Sequence, residues 1–223
     1  MKLVEYADAE MMAIDLANVL AGELAGVLMH EDRATLVVPG GTSPGPVFDA
    51  LCAADLDWAR VDVMLSDERW VPEEDARSNA ALIRERLLTG RARMARFYPY
   101  FTGSPEPESD LAEVEAMIQP HLPVSVALLG MGADMHTASL FPRGDNLRLA
   151  LDEAAPDLVP MRAPGLDVAR VTLSARVLRG SLALHIVVTG AEKRAALERA
   201  AKLPPEDAPV AALLDGAVVY WAP

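Results

Sequence analysis

The feature that most constrains this 223-residue sequence is a set of short apolar segments separated by longer stretches with helical spacing. Ala34–Val38 and Val61–Leu65 have the pattern of buried strands, and residues 124–129 are apolar on both faces, which is typical of a strand near the centre of a parallel sheet. The helical stretches between them supply the crossover connections that parallel strands need. We therefore predict an α/β fold, a Rossmann-like and mostly parallel sheet with helices on both faces and residues 124–129 near its centre.

Helix boundaries are indicated by capping residues. Asp8 is placed to cap a helix running to about residue 28, and Ser78 to cap one that ends before Gly90. The remaining elements have weaker patterns, with strands expected at residues 97–100, 169–173, 182–189 and 218–221 and helices ending near residue 118 and covering residues 192–202. Residues 143–165 contain prolines and charged clusters and are interpreted as a long excursion. No linker interrupts residues 1–223, which predicts a single domain, with or without a small subdomain.

Net charge limits the partners of the chain. A charge of −13 repels nucleic acid and anionic membranes, so neither is expected as a partner. A small anionic substrate would need a locally basic pocket. The N-terminus lacks a signal-peptide pattern, and no apolar run approaching the roughly 20 residues of a membrane span is apparent. We expect a cytoplasmic protein.

The cysteine count bears on metals and cofactors. The single cysteine excludes an internal disulfide, and no Cys/His metal framework is present. We expect neither a metal nor a cofactor.

The loop after the first strong strand is rich in glycine. Residues 39–45 read PGGTSPG, in which Gly40 and Gly41 would let backbone N–H groups approach an anion closely. Thr42 and Ser43 can donate hydroxyl hydrogen bonds to phosphate oxygens. The alternative is a tight strand-to-helix turn that binds nothing.

The loop after the second strong strand is charged. It begins SDERWVP at residues 66–72 and continues to Arg77, Ser78 and Asn79. Asp67 and Arg69 at a strand end suit a site that orients hydroxyls and anchors anionic groups. The alternative is a solvated charged loop in which Ser78 only caps a helix.

The loop after the third strong strand holds the most specific pattern, GMGADMHTASLFP at residues 130–142. Gly130 and Gly132 free the backbone, and Asp134 and His136 follow just before an expected helix start. A histidine there can act as a general base near neutral pH, and a neighbouring carboxylate can fix its tautomer. The alternative is a structural histidine. His30, His121 and His185 are assigned no role.

These three segments together resemble the 6-phosphogluconolactonases, within the glucosamine-6-phosphate isomerase/6-phosphogluconolactonase group. The patterns typical of that family are GGSTP, DERxVP with a later SN, and GMGxDGHTASLFP. This chain has GGTSP, DERWVP with SN, and GMGADMHTASLFP in the same order, followed by weaker matches RVTL at 170–173 and VTGAEK at 188–193. The resemblance covers almost the whole chain.

The resemblance implies hydrolysis of 6-phospho-D-glucono-1,5-lactone to 6-phosphogluconate in the oxidative pentose phosphate pathway. His136 would activate water as general base without a metal, with Asp134 as its orienting partner. Asp67 would contact the sugar, and Arg69 would hold its polar end or polarise the carbonyl. Substrate and phosphate contacts are expected from Gly40, Gly41, Thr42, Ser43, Arg77, Gly132, Arg170 and Lys193. The partner is then a small phosphorylated sugar lactone, and the chain a monomer or a weak homodimer.

Two alternatives share the phosphate site. A glucosamine-6-phosphate deaminase would keep the fold, although its family usually carries a GHIAFN-type segment where this chain has HTASLF at 136–141. A non-catalytic sugar-phosphate-binding protein would need no general base. Met135 also departs from the family pattern, which has glycine there. If that position has positive φ, methionine would be strained by about 1 kcal/mol or more and could crowd the pocket.

Overall fold

The computed structural model of the chain describes residues 1–223. Its strands and helices, in chain order, are β1 (Lys2–Glu5), α1 (Ala9–Leu28), β2 (Ala34–Val38), α2 (Gly45–Leu51), β3 (Val61–Leu65), β4 (Asp67–Arg69), α3 (Asn79–Arg86), β5 (Arg96–Tyr98), α4 (Leu111–Ile118), β6 (Val126–Gly130), α5 (Leu147–Leu151), β7 (Leu158–Met161), β8 (Arg170–Leu173), α6 (Ala175–Arg179), β9 (Ala183–Thr189), α7 (Ala191–Ala200) and β10 (Val218–Ala222).

Seven strands form the main sheet in the order β1-β10-β9-β6-β2-β3-β5, and every neighbouring pair is parallel. From the adjacent strands β2 and β6, the chain builds outward in opposite directions. The loops that follow these two strands therefore diverge and leave a crevice at the carboxyl edge of the sheet. Ligands of open α/β sheets bind in such crevices.

A second sheet of three antiparallel strands has the order β4-β8-β7. Its register pairs Asp67 with Thr172 and Arg69 with Arg170. Because β4 follows β3 almost directly, this sheet brings the start of β8 to the carboxyl edge of the main sheet. Residues distant in sequence thus lie beside the crevice.

The hydrophobic core is one cluster of 59 buried residues drawn from both sheets and the helices around them. Every residue of β2 and β3 is buried, as expected for strands covered on both faces. The α/β fold with a mostly parallel sheet and a central β6 is confirmed.

One helix, α1, is long and apolar enough to cross a membrane when judged by length and composition alone. The expectation that no such segment is present was wrong for this helix. In the structure α1 buries Met12, Leu16, Leu20 and Leu24 at a spacing of four residues. That face packs against α2 and the strands β2, β6 and β10. The apolar side of the helix therefore belongs to the core.

The two predicted helix caps are confirmed. Asp8 accepts a hydrogen bond from the Met11 N–H at 2.7 Å, and Ser78 accepts one from the Ala81 N–H at 3.2 Å. Each side chain satisfies one of the backbone donors that a helix start leaves free.

Several elements differ from the predictions. No helix follows His136, because Ala138 and Arg143 have φ of 49° and 63°, which a right-handed helix does not allow. The excursion at residues 143–165 contains α5 and β7. The short strands β1 and β4 and the helix α6 were also missed. Strands of three or four residues with charged side chains carry little local signal and form here through pairing with β10 and β8.

A buried ion cluster lies near the amino ends of β2 and β3, away from the crevice. Asp62 is 1% exposed and accepts two hydrogen bonds from Arg33, at 2.7 and 2.6 Å. The His121 ring nitrogen Nδ1 lies 3.2 Å from the same carboxylate, and Tyr98 donates to it. Burial raises the pKa of Asp62, but its hydrogen bonds and ion pairs outweigh this effect and the pKa lies below its ordinary value.

Asp62→Ala should lower the free energy of unfolding by about 2 to 3 kcal/mol, because the half-buried Arg33 and the Tyr98 hydroxyl lose a charged acceptor. Urea denaturation measures the change. Glu153→Ala, which removes an exposed ion pair with Arg179, is the control and should cost within about 1 kcal/mol. Equal losses in the two variants would contradict a stabilising role for the cluster.

Candidate active site

The crevice at the carboxyl edge of the main sheet is an open cleft of about 350 Å³. The loops after β2, β3, β6 and β9 contribute to its walls. Most of the predicted site residues line it, namely Gly40, Gly41, Thr42, Ser43, Asp67, Arg69, Gly132, His136, Arg170 and Lys193. Parallel strands thus bring together side chains from more than half the length of the chain.

The glycine-rich loop after β2 forms one wall of the cleft. Gly41 has φ of +91°, a conformation that glycine adopts without strain. Ser43 shares a hydrogen bond of 3.0 Å with Thr189, the last residue of β9. A Cβ on Gly40 would collide with the side-chain amide of Asn79. The loop is therefore held between its neighbours with its backbone close to the cleft.

Three cations in the cleft have no acidic partner. Arg69, Arg170 and Lys193 line it, and none of them forms an ion pair with a carboxylate. Arg69 and Arg170 also lie directly opposite each other across β4 and β8, an arrangement that is unfavourable for like charges. An anion between them would relieve this repulsion.

Arg170 is the most constrained of these cations. Its Nε is buried without a hydrogen-bond partner. Burial lowers the pKa of its guanidinium, and the charge of Arg69 lowers that pKa further. A buried donor without a partner costs free energy. A ligand that accepts a hydrogen bond from Arg170 would remove this cost.

Asp67 is fixed by two hydroxyl groups. Ser66 donates to one carboxylate oxygen at 2.7 Å, and Ser139 donates to the other at 2.6 Å. Ser139 belongs to the loop after β6, so the contact ties that loop to the loop after β3. Asp67 is 7% exposed, and it lines the cleft.

His136 is oriented by Asp134, whose Oδ1 lies 2.5 Å from the ring nitrogen Nδ1. Burial raises the pKa of Asp134, but its contacts with His136 outweigh burial and bring the pKa below its ordinary value. An ionised Asp134 favours the tautomer with hydrogen on Nδ1, which leaves the lone pair on Nε2. The ring is packed on Phe141, with centroids 4.6 Å apart.

Gly132 allows this arrangement. A Cβ at this position would collide with the His136 ring and the Asp134 carboxylate. The Gly132 N–H donates to the His136 carbonyl at 2.9 Å, which closes the turn. The glycine is thus required for the close approach of the two side chains.

Glu68 and Asn79 support the site, and sequence reasoning assigned them no role. Glu68 is fully buried and accepts backbone hydrogen bonds from Arg69, Asn79 and Ala80 at 2.7 to 2.8 Å. Burial raises the pKa of Glu68 to about 7, against the opposite effect of these donors. The sequence signals for Asn79 were its place directly after the helix cap Ser78 and its match to the SN of the family pattern, neither of which indicates what its side chain contacts.

Two expected site residues lie outside the cleft lining. Asp134 lines a depression next to the cleft and acts on the cleft through its hydrogen bond to His136. Arg77 is exposed and forms ion pairs with Asp75 at 2.7 Å and Asp167 at 2.5 Å. The structure therefore does not bring Arg77 together with the other three cations.

Met135 has φ of 69°, so the condition for backbone strain at this position is met. Its side chain does not line the cleft. It lies on an adjacent depression with Arg143, Glu206 and Asp207. The positive φ is strained for methionine, and the side chain lies beside the cleft without crowding it.

The fold and the cleft define the class of the protein: an α/β enzyme whose site combines unpaired cations with a histidine bound to a carboxylate. The chain belongs to the glucosamine-6-phosphate isomerase/6-phosphogluconolactonase family, whose model matches residues 7–221.

Relatives and solved structures place the chain within this family. It is 39% identical to a 6-phosphogluconolactonase of Pseudomonas aeruginosa, over 98% of this chain and 93% of that protein. It is 38% identical to a 6-phosphogluconolactonase of Mesorhizobium japonicum, over 98% and 94% of the two chains. The crystal structure of a 6-phosphogluconolactonase from Shewanella baltica has a TM-score of 0.96 at 28% identity, covering 100% and 98%. The chain is a hydrolase of this family.

A glucosamine-6-phosphate deaminase shares the fold alone. A monomeric deaminase of this kind has a TM-score of 0.79 at 15% identity, covering 100% of this chain and 97% of that one.

Gly132→Ala should displace the His136 ring and break its hydrogen bond to Asp134, while the protein stays folded. Proton NMR measures this through the chemical shifts of the carbon-bound protons of the His136 imidazole. Gly22→Ala is the control, because a Cβ there meets nothing within 4 Å and the residue lies on α1. An unchanged imidazole signal in Gly132→Ala would contradict the steric requirement for glycine.

Proposed function

We propose that this protein hydrolyses 6-phospho-D-glucono-1,5-lactone to 6-phosphogluconate, with His136 as general base and without a metal ion. The observation that carries the proposal is the hydrogen bond between His136 and Asp134 in a cleft whose three cations lack acidic partners. One end of the cleft suits a phosphate, and the other suits proton abstraction from water.

The phosphate would lie against Gly41, Thr42 and Ser43. Arg170 and Lys193 would supply the positive charge, since both line the cleft without an ion pair. A dianionic phosphate accepts several charge-assisted hydrogen bonds, and the buried Nε of Arg170 needs an acceptor. Arg69 would then hold the polar end of the sugar or polarise its carbonyl, and Asp67 would accept a hydrogen bond from a sugar hydroxyl.

The chemistry follows from the tautomer of His136. The lone pair on Nε2 accepts a proton from water as the water oxygen attacks C1 of the lactone. Asp134 stabilises the imidazolium that forms. The bond between C1 and the ring oxygen then breaks, the ring oxygen receives the proton from His136, and the product is the open-chain acid.

No metal is needed in this scheme, because a δ-lactone is an activated ester. The negative charge on the carbonyl oxygen needs donors, which Arg69 and the backbone N–H groups of the glycine-containing loops could supply. We place the reaction in the cytoplasm, with the sugar phosphate as the only required partner and neither nucleic acid nor membrane involved. The net charge of −13, which repels nucleic acid and anionic membranes, supports the absence of both as partners.

His136→Ala should lower kcat/KM for 6-phosphogluconolactone by about 10²- to 10⁴-fold, because the general base is removed. The lactone is generated in situ, and acid release is followed after subtraction of the spontaneous reaction. The KM should change much less than kcat, since the phosphate contacts remain.

His30→Ala is the matched control, because His30 is exposed and lies outside the cleft. The control and a chelator-treated wild-type protein should keep full activity. A wild-type protein that releases ammonia from glucosamine 6-phosphate, or that binds 6-phosphogluconate without hydrolysing the lactone, would contradict the proposed function.

Met135→Gly should leave kcat and KM within about twofold of the wild type, since the side chain lies outside the cleft. The same assay measures this, and urea denaturation reports the backbone effect separately. A large fall in KM in this variant would mean that the methionine restricts the substrate after all.

A further inference from the structure

The side chain of Asn79 contacts three residues of the site. It is 1% exposed and lines the cleft. Its Oδ1 accepts a hydrogen bond from Arg69 Nη1 at 2.5 Å, and its Nδ2 donates to the Asp67 carbonyl at 2.8 Å. The Gly40 backbone is in close contact with the same amide. Asn79 therefore touches residues of two loops that line the cleft.

Glu68 fixes the backbone that carries Asn79. Its carboxylate accepts the Asn79 and Ala80 N–H groups at 2.7 and 2.8 Å, which are the first two donors of α3. It also accepts the Arg69 N–H at 2.8 Å. A single buried carboxylate thus holds both the backbone of Arg69 and the helix start that places the Asn79 side chain.

The amide of Asn79 has one property that a carboxylate would lack. Its oxygen accepts from the guanidinium of Arg69 without adding a negative charge, whereas aspartate of the same shape would form an ion pair. Aspartate would also place an oxygen against the Asp67 carbonyl, with no donor between them. Arg69 has no other side-chain partner, and its second contact is the Arg77 carbonyl at 2.8 Å.

We infer that Asn79 is a positioning residue whose amide orients Arg69 toward the cleft and leaves its positive charge free for an anionic substrate. The inference rests on the proposed function, because it explains how Arg69 is kept available to a sugar phosphate. Glu68 acts one step further away by holding Asn79 in register.

The test is calorimetric titration of the full chain with inorganic phosphate and with 6-phosphogluconate. Asn79→Asp should raise the dissociation constant of 6-phosphogluconate by at least about tenfold, because Arg69 is then neutralised. Asn79→Ala should weaken binding less, since Arg69 loses its support but keeps its free charge. If the amide only maintains the local structure, the losses in Asn79→Asp and Asn79→Ala do not depend on Arg69 and persist in an Arg69→Gln background.

Asn146→Asp is the matched control for charge and chemistry. Asn146 donates to the Pro160 carbonyl and lies outside the cleft, so its variant should bind both anions as the wild type does. In an Arg69→Gln background, Asn79→Asp and Asn79→Ala should add little to the loss of binding, because Asn79 acts through Arg69. If Asn79→Asp does not fold, the double variant of Asn79→Ala with Arg69→Gln decides alone: losses that do not add support the action of Asn79 through Arg69, and additive losses overturn it.

The outcomes separate the inference from the proposed function. Wild-type affinity in Asn79→Asp, weaker binding in Asn79→Ala than in Asn79→Asp, or additive losses with Arg69→Gln would each overturn the role of Asn79. A wild-type protein that binds both anions but does not hydrolyse the lactone would overturn the proposed function and leave the role of Asn79 to be decided by the variants. A wild-type protein that binds neither anion contradicts both.

Discussion

Parallel pairing of β2 with β6 is the interaction on which the site depends. Leu36 lies beside Val126 and Val37 beside Ala127, although the two strands are about ninety residues apart in sequence. The chain departs from this pair in opposite directions, so the glycine-rich loop after β2 and the histidine loop after β6 open a crevice between them. In the proposed reaction the glycine-rich loop contacts the phosphate and the histidine loop supplies the general base, and the sheet sets the separation of the two loops.

The cations of this acidic protein differ between the surface and the cleft. Most arginines near the surface, such as Arg77 and Arg162, are paired with carboxylates, whereas the cations of the cleft are not. The side-chain amide of Asn79 and the backbone carbonyl of Arg77 orient Arg69 without neutralising its positive charge. Arg69 and Arg170 face each other across β4 and β8, and a bound anion would relieve the repulsion between their charges. A protein of net charge −13 can thereby bind an anionic substrate.

Sequence patterns predicted the elements that depend on interactions between residues close in sequence. The buried strands β2 and β3 and the caps Asp8 and Ser78 could be predicted because periodicity and capping chemistry are local signals. The strand β4 could not be predicted, since charged residues form a strand there only by pairing with β8. The expected helix after His136 was wrong because the loop turns through Ala138. The partners of Asn79 depend on tertiary contacts that no spacing in the sequence reveals.

A crystal structure of the protein with bound 6-phosphogluconate tests the central claim most directly, because it shows the orientation of the product in the cleft. The account predicts that the phosphate contacts Arg170 and Lys193 beside the glycine-rich loop and that the C1 carboxylate lies next to Nε2 of His136. A product bound in the reverse direction, with its phosphate at His136, or a product bound outside the cleft, would contradict the account.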